Sequence, residues 1–96
     1  MHFRYILLLF VCVTNSIQLS TINFMNTKIL QRFGEQVRRK RLDAELSQEE
    51  FAEKLGIHRT YMSFIERGIR NPSLLMIFKI SRALKIKLPE LFEFDN

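Results

Sequence analysis

The residues from Leu46 to Gly68 constrain this chain more than any other part of it. Ser47-Gln48-Glu49-Glu50 has the form of a capping box, in which the Ser47 hydroxyl accepts from the Glu50 amide and the Glu50 carboxylate accepts from the Ser47 amide. Leu46 before the cap and Phe51 after it stand at hydrophobic-staple spacing, which fixes the angle at which the chain enters the helix. Phe51, Ala52 and Leu55 then make one apolar stripe, and Gly56 offers the left-handed backbone at which a helix stops. A second helix follows almost at once, with Met62 and Ile65 as inward positions and Gly68 as its stop. The pattern predicts helices over 48–55 and 59–66. Joined by so few residues, they have to cross steeply. The small Ala52 leaves room for the second helix to approach, and Ile57 plugs the turn.

Such a pair is the helix-turn-helix arrangement that sets a helix into the DNA major groove, although a purely structural helical hairpin carries the same stripes. The rest of the chain after Met25 is also helical in pattern. No segment there alternates with period two between turn residues. Gly56, Gly68 and Pro72 are the main breaks, with Gly34 and Pro89 as lesser ones. Further helices are expected at about 28–44, 73–84 and 89–93. The fold class is therefore all-α: a compact five-helix bundle in one domain, 25–96, with Phe33, Val37, Phe51, Ala52, Leu55, Ile57, Met62, Ile65, Leu74, Ile77, Ile80 and Leu84 as its core. Leu75 falls on the polar side of the 73–84 helix, between Lys79 and Arg82.

Residues 1–24 are different in kind. Arg4 is their only charged residue, and Tyr5 to Val13 is an unbroken apolar run too short to span a bilayer. Three readings stand for this apolar N-terminal extension: an unstructured or mis-assigned leader to a chain that starts at Met25, a secretory signal or membrane tether, or a short element packed on the domain. Cys12 is the only cysteine, and His2 and His58 lie far apart, so neither a disulfide nor a thiolate metal site is expected. There is no Gly-rich phosphate loop and no nucleophile–base pair. A formal charge of +5 and a pI near 9.8 suit a polyanionic partner. These features fit a cytoplasmic binding module without cofactors better than an enzyme or a membrane protein.

Leu46-Ser47-Gln48-Glu49-Glu50-Phe51-Ala52, Leu55-Gly56, Ile65-Glu66-Arg67-Gly68, Asn71-Pro72-Ser73-Leu74 and Ala83-Leu84 resemble the phage repressor and Cro (Xre-like) family over about residues 29–92. His58-Arg59-Thr60-Tyr61-Met62-Ser63 with Ile65-Glu66-Arg67 is also similar to the controller proteins of restriction–modification systems. The resemblance implies a lambda repressor-like fold in which 59–66 is the recognition helix, with Arg59, Thr60 and Ser63 facing the bases. Arg59 suits a bidentate contact to guanine O6 and N7, and Thr60 a hydrogen bond or a thymine methyl. Phe64 stands where the family often has a polar base-contacting residue; it either touches a thymine methyl or folds back on the protein. Gln48 is implied to bond a phosphate or brace the recognition helix, Tyr61 to reach a phosphate, and Arg70 and Asn71 to follow the DNA backbone. His58 departs from the usual Ser, Thr or Asp and is expected to cap poorly, leaving phosphate contact or mere tolerance. Arg41 and Glu66 match a buried ion pair joining the first helix to the recognition helix. The run Arg38-Arg39-Lys40 is either a DNA contact or a solvated face.

The functions that follow are a transcriptional regulator binding a pseudo-palindrome in double-stranded DNA, as a homodimer through its C-terminal helices, or an antitoxin-type regulator that also binds a partner protein. A module that has lost DNA binding, and a membrane-tethered regulator, are the other readings. Any protein partner, toxin or polymerase, stays open at this point.

Overall fold

The computed structural model describes residues 27–94, and the apolar run of residues 5–13 lies outside them. Four α-helices follow one another: α1 over residues 27–43, α2 from Gln48–Leu55, α3 from Arg59–Glu66 and α4 from Leu74–Ala83. A 3-10 helix, Leu88–Phe92, comes last. No strand occurs among the described residues. The expected fifth helix is thus a 3-10 turn and not an α-helix. Pro89 in its first turn has no N–H to donate and fits there without loss.

Local chemistry accounts for the ends of these elements. At α2 both halves of the capping box are formed, Ser47 Oγ accepting from Glu50 N at 3.0 Å and Glu50 Oε1 accepting from Ser47 N at 3.4 Å. Ser73 caps α4 through Met76 N at 3.1 Å. All four helices stop in the same way, with a left-handed residue at Glu45, Gly56, Gly68 and Lys85. In each, the residue after it closes a backbone bond to the carbonyl five positions back: Leu46 N to Arg41 O, Ile57 N to Ala52 O, Ile69 N to Phe64 O and Ile86 N to Ser81 O, at 3.0–3.2 Å. That closing residue is apolar every time. Three of the four, Leu46, Ile57 and Ile86, pack against the core, so the helix stops also supply core contacts.

The core gathers Phe33 and Val37 of α1, Phe51, Ala52 and Leu55 of α2, Met62 and Ile65 of α3, Ile80 and Leu84 at the end of α4, and Leu91. Removing each large side chain of this set from water contributes about 1.5–3 kcal/mol. Ile57 and Ile77 are only partly buried against it. Leu74 corrects the expected core: it is 77% exposed, because it lies at the outer edge of the α4 stripe and none of the described elements covers it. Leu91, not anticipated, is fully buried beneath α4. The 3-10 helix is further tied to α1 by Gln36 Nε2, which donates to Glu90 O at 2.8 Å, and by Phe33 stacked on Phe92 at 5.4 Å.

Gly34 does not break α1. It lies buried mid-helix, where a Cβ would stand 2.5 Å from the Glu66 carbonyl oxygen and would also strike that of Ile65. Its lack of a side chain lets α1 lie directly against the C-terminal end of α3. Among the described residues, no helix is long and apolar enough to cross a membrane, and no cluster of His, Cys, Asp or Glu could hold a metal ion.

Candidate nucleic-acid interface

Helix α3 turns Met62, Ile65 and Glu66 inward and leaves Arg59 and Thr60 exposed, with Ser63 and Phe64 half-buried beside them. Helical periodicity places Arg67 on the same outward face. Arg67 is an addition to the residues expected there. Spacing is the signal that could have found it, since it follows Ser63 by four residues and Phe64 by three. Together with Gln48 at the start of α2, these side chains line a shallow notch between the two helices. The outward face carries Arg59 and Arg67 with Arg70 just beyond, and the one acid of the helix, Glu66, is buried behind it.

His58 caps α3 after all. Its Nδ1 accepts from Thr60 N at 3.1 Å, so the imidazole takes the part an Asp or Ser oxygen usually has. The bond needs an unprotonated Nδ1, which leaves Nε2 as the N–H donor on the exposed edge of the ring. The expectation of a poor cap fails because imidazole nitrogen, though a rare cap, reaches the second amide when the backbone at His58 is extended.

The other end of α3 is anchored through Glu66. Arg41 Nε donates to Oε1 at 2.9 Å and to Oε2 at 3.2 Å, and Arg41 Nη2 lies 2.9 Å from Oε1. Gln48 Nε2 donates to Oε2 at 3.0 Å. The Arg41 and Glu66 side chains are only 8% and 2% exposed, so water screens the pair poorly. Arg41 Nη1 also donates to Leu46 O at 2.7 Å, in the turn that leads into α2. One guanidinium and one carboxylate therefore lock α1, α2 and α3 together immediately behind the exposed face of α3.

Tyr61 is half-buried and packs against the core. Arg70 and Asn71 are exposed in the loop after Gly68, and the following Pro72 is buried, which seats that loop on the domain. The guanidinium carbons of Arg67 and Arg70 lie 5.2 and 5.6 Å from the centroid of the Phe64 ring. In the basic run of α1, Arg38 is exposed and Lys40 half-buried, while Arg39 is exposed at a cleft that includes Glu35, Phe92 and Glu93. A helix about 10–12 Å across with a positive outer face matches the roughly 12 Å width of the B-DNA major groove.

The helix-turn-helix family model HTH_3 matches residues 37–91. Control protein C.BamHI of Bacillus amyloliquefaciens is 46% identical over 73 residues, which cover 75% of this chain and 90% of that protein. The crystal structure of the restriction-modification controller protein C.AhdI from Aeromonas hydrophila is similar with a TM-score of 0.64 and 44% identity, over 66% of this chain and 96% of that one. SinR, a master regulator for biofilm formation solved in complex with DNA, is 32% identical with a TM-score of 0.60, over 64% of this chain and 98% of its own.

Proposed function

The chain belongs to this helix-turn-helix family, and we propose that it is a sequence-specific regulator of transcription that binds double-stranded DNA through α3. The observation that carries the reading is the outward face of α3: basic and hydroxyl side chains on an exposed helix whose acid is turned inward and neutralised. In this reading Arg59, Thr60 and Ser63 face base edges. The α2 N-terminus with Gln48, the exposed edge of His58, Tyr61, Arg70 and Asn71 lie along phosphates. Gln48 braces the recognition helix as well, through its bond to Glu66. Residues 25–96 form the working domain, acting in the cytoplasm without a cofactor. The likeness to C.BamHI and C.AhdI favours the controller protein of a restriction–modification system over an antitoxin or a module that has given up DNA.

The regulator works as a homodimer through its C-terminal helices. Leu74, Leu75 and Phe78 share the outward face of α4 and are 77%, 63% and 48% exposed, a broader apolar face than Leu75 alone. Two copies related by a two-fold axis present two α3 helices to half-sites about 10–10.5 base pairs apart, in a pseudo-palindromic operator.

Titrations of the upstream region of its own gene and of a random duplex, at one salt concentration, test this. Arg59→Ala weakens binding to the specific site by about 1–3 kcal/mol and relaxes the preference at one base pair per half-site, with much less weakening on random DNA. Equal weakening on both duplexes makes Arg59 a phosphate contact. Absence of salt-sensitive binding by the wild type on either duplex refutes the DNA-binding function.

A further inference from the structure

We propose that Phe64 is a positioning residue for DNA, whose ring holds Arg67 and Arg70 in place as a paired clamp on the phosphate backbone. The inference rests on the DNA-binding reading above and assigns Phe64 a part other than a thymine-methyl contact. Phe64 is half-buried on the outward side of α3, and both guanidinium groups lie over its ring, at 5.2 and 5.6 Å from the centroid. The two arginines come from different places. Arg67 is the C-cap of α3, and Arg70 lies in the loop beyond the left-handed Gly68. The bond from Ile69 N to Phe64 O, at 3.0 Å, folds that loop back beside the ring.

Holding two like charges against one ring serves folding poorly, because they repel each other and each loses the rotamer freedom of a long side chain. It serves anion binding well. The ring attracts the charge of each guanidinium and accepts no conventional N–H···O bond from it, and the N–H donors of a guanidinium fit phosphate oxygens. The quadrupole of the ring holds each cation over its face, so much of the ordering that phosphate contact requires is in place before DNA arrives. Phosphate then neutralises the repulsion that the free protein retains. Among the described residues, Phe64 is the aromatic side chain that both arginines lie over.

The test is the salt dependence of binding to a random-sequence 30-base-pair duplex, where phosphate contacts dominate. Phe64→Leu keeps apolar bulk and removes the aromatic face, whereas Phe64→Tyr keeps the face. Phe64→Leu is expected to flatten the plot of log affinity against log salt by about 0.9 for each phosphate the clamp no longer neutralises, up to two per protomer. Phe64→Tyr is expected to retain the wild-type slope. Arg67→Gln/Arg70→Gln, with the ring intact, reproduces the flattened slope, and adding Phe64→Leu to it changes nothing further. A wild-type slope in Phe64→Leu overturns the proposal, and so does a wild-type slope in the double arginine variant, whose fold does not depend on replacing the ring. Weakened binding by Phe64→Leu confined to a thymine-bearing site, with no change of slope, overturns it in favour of base contact. Absence of salt-sensitive binding by the wild type on this duplex and on its own upstream region removes the DNA-binding reading itself, a result distinct from the others.

Discussion

Replacing Arg41 by methionine removes the cation and leaves most of the volume of its side chain. In the wild type the Glu66 carboxylate is held by Arg41 Nε, which bridges both oxygens, by Arg41 Nη2 and by Gln48 Nε2. The substitution strips away both guanidinium donors and leaves a carboxylate that is 2% exposed with a single amide donor. It also frees the Leu46 carbonyl in the turn before α2. Removing one partner of a buried ion pair costs about 3–5 kcal/mol, a fifth or more of a small domain's total stability of about 5–15 kcal/mol. At about 4–8 °C per kcal/mol for a domain of this size, the midpoint of thermal unfolding falls by at least about 12 °C. Glu66→Met strands the guanidinium instead and costs a similar amount. The double variant, with methionine at both positions, loses less than either single one, because two apolar side chains need no partners. Gln48→Ala removes one bond to a charged group and costs about 1.5–3 kcal/mol, less than Arg41→Met. Urea unfolding followed by circular dichroism gives the whole cycle, at one protein concentration because the proposed dimer would add to stability as concentration rises. Single variants within 0.5 kcal/mol of wild type, or a double variant equal to the sum of the two, would refute the claim that this pair locks three helices.

Gly34→Ala is expected to destabilise the domain although alanine is the better helix former. The gain in propensity is about 1 kcal/mol, and it is outweighed by a Cβ placed 2.5 Å from a backbone oxygen of α3 that no side-chain rotation can move. Unchanged or raised stability in urea would show that α1 and α3 are not in close contact there. Leu75→Lys combined with Phe78→Ser is expected to leave the thermal unfolding of dilute monomer nearly unchanged, since both residues are exposed in it. Sedimentation equilibrium should show dimer association weakened at least about tenfold, the equivalent of 1.4 kcal/mol. A monomeric wild type at high concentration, or an unaltered dimer in the variant, would exclude this face.

The helix-turn-helix was legible because its signals are local. The capping box at Ser47, the staple of Leu46 and Phe51 and the glycine stop at Gly56 act within one helical turn or two, so α2 and α3 begin and end where the sequence pattern sets them. Local pattern marks the stops at Gly56 and Gly68 but not the equivalent ones at Glu45 and Lys85. There an ordinary residue takes the left-handed conformation, and the apolar residue behind it, anchored in the core, meets the cost. What depends on contacts between distant segments was decided by the tertiary structure alone. Leu74 sits at the edge of a stripe, and such a position is buried only if another element covers it; among the described residues none does. Leu91 belongs to a segment too short to show a period, and it is buried because α4 lies over it. The role of Gly34 is invisible from within α1, since only the carbonyl oxygens of α3 make a side chain impossible there. The exposed residues of α3 follow from helical spacing, but the gathering of Arg67 and Arg70 on Phe64 requires the chain to fold back at Gly68. Periodicity specifies which residues share a face. Only packing determines which face is covered and which side chains from other segments meet on it.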